Sequence, residues 1–111
     1  MKVIMSDESK ADITQIFDYI ASDSPKYAKI TTQNIRYHIR SLKKFPYIGR
    51  YIPELVDEPY YKDYRELIYK SYRTIYHVYE DTNEIYILTI VHSARNFITI
   101  FNSHIKNFFY F

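Results

Sequence analysis

The sequence predicts an α+β domain in which a short N-terminal strand and an antiparallel helix pair pack on a small antiparallel sheet of about four strands. Apolar residues recur at helical spacing before Pro46, and they follow the two-residue alternation of strands in the second half of the chain. Between the two halves, Gly49, Pro53 and Pro59 exclude a long helix. The 111 residues match the usual size of one domain, so we expect a single domain over residues 1–111.

The chain is predicted to begin with a short strand at Lys2–Met5. Ser6 follows it, and serine is a residue type that caps helices, so a first helix is predicted from Asp7 to about Ser22. The apolar residues of this segment recur every three or four positions and form the stripe of an amphipathic helix. They are Ile13, Ile16, Phe17, Ile20 and Ala21.

A second helix is predicted to begin at Pro25, with Ser24 as its cap, and to end near Phe45. Proline suits the first helical position because the N–H that it lacks would have no partner there. The apolar face of this helix consists of Ala28, Ile35, Ile39 and Leu42, and its basic flank consists of Arg36, Arg40, Lys43 and Lys44. Such a flank is a solvated face, a docking surface for an acidic protein, or a surface that follows a nucleic-acid backbone.

Three aromatic-rich strands are predicted after the loop, at Tyr64–Tyr69, Tyr72–Glu80 and Glu84–His92. Short turns separate them, so they should form an antiparallel meander. The last strand is apolar on both sides and is therefore expected in the centre of the sheet. One face of the sheet should pack on the helix pair. The other should be covered by the hydrophobic tail at residues 97–111 or by a partner, or line a concave site.

Composition limits the chemistry that the protein can carry. The chain has no cysteine, which excludes disulfides, thiolate metal sites and a cysteine nucleophile. Its histidines show no metal-ligand spacing, so no metal is predicted. The net charge of +2 says little about nucleic acid by itself. No apolar segment resembles a signal peptide or a membrane span, and we expect a soluble, cytoplasmic protein with no membrane partner.

One candidate carboxylate, several guanidiniums and an imidazole are expected around the predicted sheet. The candidate residues are Glu54, Arg65, Arg73, His92 and Arg95, together with Arg50 in the turn before the sheet. Guanidinium groups suit phosphate because their planar fork donates two parallel hydrogen bonds. The sequence therefore predicts a surface that binds phosphate or holds a partner protein.

The order of several short motifs resembles the RelE/ParE superfamily of bacterial type II toxins. The similarity runs over roughly residues 2 to 96. The motifs are Phe45-Pro46-x-Ile48-Gly49-Arg50-x-x-Pro53-Glu54, Arg65-Glu66-Leu67-Ile68, Tyr72-Arg73-x-Ile75-Tyr76 and His92-Ser93-Ala94-Arg95. The resemblance implies a small toxin that a cognate antitoxin neutralises, by a helix laid in a groove or by an added strand.

The leading function implied by the resemblance is a metal-independent, ribosome-dependent mRNA endoribonuclease. Cleavage by the ribose 2′-OH needs a base, cations that stabilise the phosphorane and an acid for the leaving oxygen, and it needs no cofactor. Glu54 would be the base, His92 the acid, and Arg73 the main phosphate stabiliser. Further phosphate or RNA contacts are implied for Arg65, Arg95 and Arg50.

Other functions and other roles for these residues stay open. ParE-like members of the superfamily inhibit DNA gyrase and lack nuclease activity, and this chain could do the same. It could also be an inactive toxin that retains only antitoxin binding. Glu54 could simply pair with Arg50 or Arg65, and Arg73 could be part of a structural salt bridge. His92 could be satisfied by hydrogen bonds at a strand end.

Overall fold

A mixed five-stranded sheet and a helical hairpin form the described part of the computed structural model, which covers residues 1–93 and 97–102. Within these residues the chain has five strands, three helices and one 3-10 turn. They are β1 (Lys2–Met5), α1 (Asp7–Ala21), α2 (Pro25–Ser41), β2 (Arg50–Tyr51), the 3-10 turn Pro53–Leu55, β3 (Arg65–Tyr69), β4 (Tyr72–Tyr79), β5 (Glu84–His92) and α3 (Phe97–Ile100). The predicted α+β architecture is confirmed.

The sheet has the strand order β1-β5-β4-β3-β2, so β5 lies beside β4 inside the sheet as predicted. Two features differ from the prediction of about four antiparallel strands. The first strand pairs in parallel with β5, with Lys2 opposite Glu84. Arg50 and Tyr51 add a fifth strand by pairing antiparallel with β3. The helical hairpin returns the chain to the end of the sheet at which β1 ended. The strands β2 to β5 then alternate in direction, so β5 runs parallel to β1.

Both helices begin where their caps predict. The Ser6 hydroxyl accepts from the Ser9 backbone N–H at 3.0 Å, and that of Ser24 accepts from the Tyr27 N–H at 3.1 Å. The second helix ends at Ser41, four residues before the predicted end near Phe45. Tight turns of backbone hydrogen bonds continue to Phe45, where the following proline disfavours helical geometry.

The sheet packs on both faces. Its helix-facing side contacts α1 and α2 through a cluster of buried residues: Ile13, Ile35, Ile39, Leu42, Tyr76, Ile85, Ile87 and Ile90. The opposite side carries a second cluster, which includes the 3-10 turn and the start of the tail: Ile52, Leu55, Tyr61, Tyr64, Ile75, Leu88, Phe97 and Phe101. The first residues of the predicted tail therefore cover this face, while residues 103–111 lie outside the described residues.

A bulge in β5 reverses the alternation of that strand, so that Ile90 faces the helices as Ile85 and Ile87 do. Ile75 pairs with Thr89 and Tyr76 pairs with Ile87, which leaves Leu88 as the extra residue. Asp12 of α1 stabilises the backbone there, because its carboxylate accepts from the Thr89 hydroxyl at 2.7 Å and from the Ile90 N–H at 2.8 Å.

In the described part of the chain, no helix is both long enough and apolar enough to span a membrane.

Candidate functional site

Four charged side chains on the sheet face opposite the helices form a row of ion pairs, the ion-pair chain. The Nε atom of Arg50 donates to Glu66 at 2.8 Å, and the Nε atom of Arg73 donates to the other oxygen of Glu66 at 2.6 Å. The remaining nitrogens of Arg73 donate to both oxygens of Glu54, at 2.8 and 2.7 Å. Two carboxylates thus alternate with two guanidiniums, and their formal charges cancel.

Each member comes from a different element. Glu54 lies in the 3-10 turn, Arg50 in β2, Glu66 in β3 and Arg73 in β4. Glu66 lies opposite Arg50 in the strand register and diagonal to Arg73, because Arg73 itself pairs with Ile68. Side chains at these positions project from the same face of a sheet. The fold therefore brings the four groups together.

Burial decreases from the centre of this chain of charges to its ends. The Glu66 side chain is fully buried, whereas 11% of Arg73, 33% of Glu54 and 59% of Arg50 is exposed. The Phe97 ring covers Arg73, with its centroid 4.5 Å from the guanidinium carbon. Arg73 is thus enclosed by two carboxylates and an aromatic ring, and little of it faces solvent.

The ion pair between Glu54 and Arg73 shifts the pKa of both groups. Hydrogen bonds from Arg73 lower the pKa of Glu54, although partial burial acts in the opposite direction. Hydrogen bonding to Glu54 is also the largest cause that raises the pKa of Arg73. Both groups therefore stay charged near neutral pH, with the acceptor atoms of Glu54 directed at the guanidinium.

His92 lies on the other face of the sheet. It pairs with Tyr72 across β4 and β5, whereas Arg73 pairs with Val91, so alternation places the imidazole and the Arg73 guanidinium on opposite sides. The His92 ring meets the Tyr72 ring edge-on at 5.3 Å. It lines a cavity of about 370 Å³ beside α1, which is also lined by Asp12, Gln15, Ile16, Tyr19, Tyr72 and Ile90.

Arg65 also lies on the face opposite Arg73, since it pairs with Tyr76 on the helix side. Its guanidinium donates to the carbonyl oxygen of Gly49 at 2.8 Å and stacks 4.3 Å from the centroid of the Tyr51 ring. Arg65 thus fastens the turn before β2. Glycine is needed at this turn, because a Cβ on Gly49 would lie 2.6 Å from the Tyr76 hydroxyl and 2.7 Å from the Glu66 carbonyl oxygen.

The structure therefore brings together Glu54, Arg73 and Arg50, and it keeps His92 and Arg65 away from them. Arg95 lies outside the described residues. Sequence reasoning missed Glu66, the buried centre of the arrangement. Strand alternation places Glu66 and Arg65 on different faces of their strand, and the two-residue turn that pairs Tyr69 with Tyr72 puts Glu66 on the face of Arg73, so the signal was present. The partner expected for Glu54 was Arg50 or Arg65, whereas the structure pairs it with Arg73.

The comparisons with known proteins agree with this fold. Among curated protein sequences, none matches this chain. The chain is similar in structure to a chain of the chromosomal ParDE toxin–antitoxin system from P. aeruginosa, with a TM-score of 0.65 and 23% identity over 83% of this chain and 95% of the other. It is also similar to a chain of the RelBE2 toxin–antitoxin complex from Mycobacterium tuberculosis. That match has a TM-score of 0.55 and 13% identity, over 82% of this chain and 95% of the other.

A family model gives the more specific assignment. The model described as the ParE toxin of the type II toxin–antitoxin system, parDE, matches residues 3–97. The match spans the whole sheet apart from Lys2, both long helices and all four residues of the ion-pair chain. The chain therefore belongs to the ParE toxin family of type II toxin–antitoxin systems.

Proposed function

We propose that this toxin acts by binding and inhibiting DNA gyrase and does not cleave mRNA. The superfamily resemblance allows both activities, and the surroundings of Arg73 favour the first. A metal-independent ribonuclease that cleaves through the ribose 2′-OH needs a base, an acid and an available cation around one phosphate. In this chain Arg73 donates to Glu54 and Glu66, while His92 lies on the opposite face of the sheet.

The state of Glu54 supports the same proposal. A general base works best when its pKa lies near the working pH and when an oxygen can reach the proton that it removes. The pKa of Glu54 is lowered, and both of its oxygens accept hydrogen bonds from Arg73. Freeing either group would require breaking a bidentate ion pair that Phe97 covers. The four charges thus fit a structural role better than a catalytic one.

We also propose that a cognate antitoxin restrains the toxin and that the toxin acts in the cytoplasm, where it would meet gyrase. The two solved structures described above are toxin–antitoxin assemblies by their descriptions. An antitoxin partner follows from that likeness. The match to the ParE family supports the gyrase target, and the ion pairs that occupy Arg73 argue against the nuclease.

Two assays on the purified toxin test the target. In the first, increasing amounts of toxin are added to purified gyrase and relaxed plasmid, and supercoiling is followed on a gel. In the second, the toxin is added to an in vitro translation reaction, and the message is mapped by primer extension. We expect loss of supercoiling and intact messages. Unchanged supercoiling, or cuts within codons at the ribosomal A site, would overturn the proposal.

His92→Gln provides a matched variant, because the two functions assign different importance to the imidazole. The gyrase proposal expects His92→Gln to inhibit supercoiling as well as the wild-type toxin does. A nuclease that uses His92 as its acid would lose its cuts in this variant. Circular dichroism of both proteins checks that the substitution leaves the fold intact.

A further inference from the structure

The outward face of α2 carries only positive charge. The helix Pro25–Ser41 contains no acidic residue, and the turn that follows it adds two lysines. Four exposed cations recur at intervals of four or seven residues, which places them along one stripe of the helix and its last turn. This set, the cationic strip, consists of Lys29, Arg36, Arg40 and Lys44.

Stability of the helix does not explain the cationic strip. Cations in the last turn are favourable because they face the negative end of the helix dipole, which accounts for Arg40 and Lys44. Lys29 is the fifth residue of the helix, where the dipole gives a positive charge no advantage. Arg36 and Arg40 are four residues apart and repel each other. Across residues 1–93 and 97–102, no member of the strip forms an ion pair with a carboxylate.

An aromatic side chain lies beside the cationic strip: Tyr37 precedes Arg40 by three residues, which places the two side chains next to each other on the helix surface. Tyr37 is 62% exposed, and the edge-on ring of His38, 5.6 Å away, supports it from one side. An exposed ring beside a row of cations is typical of surfaces on which nucleic-acid bases stack while the cations track the backbone.

The dimensions of the strip also fit a nucleic-acid strand. Lys29 and Arg40 are 11 residues apart in sequence, which corresponds to about 16 Å along an α-helix. Phosphates of one strand follow each other about every 3.4 Å along a duplex axis, so the strip can reach about five of them. We propose that the cationic strip binds the phosphate backbone of a nucleic acid, with Tyr37 stacking on a base.

The proposal is tested by removing the charges at two sets of positions. The variant Arg36→Gln/Arg40→Gln/Lys44→Gln removes three cations from the strip. The control Lys2→Gln/Lys10→Gln/Lys62→Gln removes the same charge from exposed positions elsewhere. Fluorescence anisotropy with a labelled DNA single strand of about 20 nucleotides measures binding by the full chain, with the same strand in a duplex as a second probe.

We expect the strip variant to bind the single strand about tenfold or more weakly at about 0.1 M salt. The slope of log affinity against log salt should become shallower by about 2, because each lost phosphate contact removes about 0.7 from a single-strand slope. The control should bind within about twofold of wild type, since its cations lie off the strip. Tyr37→Leu should weaken single-strand binding more than duplex binding, because only unpaired bases can stack on the ring.

Three results would overturn the proposal. Equal loss in the strip variant and the control would mean that only net charge matters. Unchanged binding in the strip variant would place the contact elsewhere. Competition by polyglutamate as strong as that by unlabelled DNA, at equal charge concentration, would identify the strip as a docking surface for acidic protein. Each assay omits gyrase, so its result is independent of the proposed target.

Discussion

Glu66 is the residue on which the ion-pair chain depends. Its side chain is fully buried, and its two oxygens accept from Arg50 and Arg73. A buried carboxylate is costly unless it is paired, and removing one partner of a buried pair leaves the other charge uncompensated. At this position the pairing also joins three strands, because Arg50, Glu66 and Arg73 belong to β2, β3 and β4.

Replacement of Glu66 by glutamine should therefore destabilise the domain strongly. We expect Glu66→Gln to lower the free energy of unfolding by about 3 kcal/mol, because Arg73 loses a buried counterion while the shape of the side chain is kept. Urea unfolding at neutral pH measures the change. The exposed carboxylate of Glu58 supplies a control, and Glu58→Gln should change stability by less than about 0.5 kcal/mol. Similar small losses in both variants would contradict this account.

The Glu54–Arg73 pair should make stability depend on acid pH. Because the pKa of Glu54 is lower in the folded state than in the unfolded chain, its contribution is fully present above the unfolded pKa and is lost as pH falls through the folded one. Glu54→Gln should cost about 1 kcal/mol at pH 7, a typical value for a partly exposed pair. The difference from wild type should shrink as pH falls below about 4. Urea unfolding across this range tests it, and a constant difference would rule out the pair as the cause.

The limits of sequence reasoning at this scale are clear from Arg73 and His92. Both lie in predicted strands, and alternation correctly groups Arg73 with Ile75 on one face. The sequence pattern does not reveal the register between β4 and β5 or the bulge that sets it. The register between β4 and β5 sets Tyr72 opposite His92, and this register depends on the Leu88 bulge, which a pattern of apolar residues does not reveal. Without it, the separation of the imidazole from the guanidinium could not be predicted.

At the scale of elements, local signals predicted most of the fold. Capping serines located the start of both helices, and the Tyr64–His92 segment folded into the expected meander. The direction of β1 could not be predicted, since strand pairing between residues some 80 positions apart leaves no local trace. The two-residue strand β2 was equally hidden. Its pairing depends on Gly49, which lets the backbone approach Tyr76 closely. A single glycine leaves no alternating pattern from which a strand could be predicted.

Ser6 contributes more to the junction between β1 and α1 than Ser24 contributes to the start of α2. The Ser6 hydroxyl caps α1 and also donates to the Leu88 carbonyl oxygen at 2.7 Å, in a buried position. Within the part of the chain that the structure describes, the Ser24 hydroxyl makes only the capping bond. We expect Ser6→Ala to cost about 2 kcal/mol and Ser24→Ala about 1 kcal/mol, because the first also leaves a buried carbonyl unpaired. Thermal unfolding of the two variants measures the order, and a larger loss in Ser24→Ala would contradict it.

Considered as a whole, the molecule places its ion-pair chain and its cationic strip in different layers. On the sheet face away from the helices, Arg50, Glu54, Glu66 and Arg73 neutralise one another under Phe97. On the outer side of the helical layer, the cationic strip has no carboxylate partner among the described residues. An internal network of this kind positions strands, whereas exposed unpaired cations can attract a ligand. The surface most suited to contact a macromolecule is therefore the helical hairpin.

The second core should couple the start of the tail to the stability of the entire domain. Phe101 is 3% exposed and meets the Tyr61 ring edge-on at 4.9 Å, while Phe97 stacks parallel to it. Removing a buried phenyl ring leaves a cavity and costs about 3 to 5 kcal/mol. We expect Phe101→Ala to lose about 3 kcal/mol in a single cooperative transition. Its neighbour Ile98 is 49% exposed, so Ile98→Ala should lose well under 1 kcal/mol.

Denaturant unfolding followed by tyrosine fluorescence and by circular dichroism distinguishes this coupling from local fraying. If the tail only lay on a finished domain, Phe101→Ala would release it in a separate early step and leave the main midpoint unchanged. If the tail completes the second core, both probes should shift together, because Ile75 and Leu88 of the central strands belong to the same cluster. A shared shift would show that Phe97, which covers Arg73, unfolds together with the rest of the domain. Arg73 would then be shielded from solvent whenever the toxin is folded.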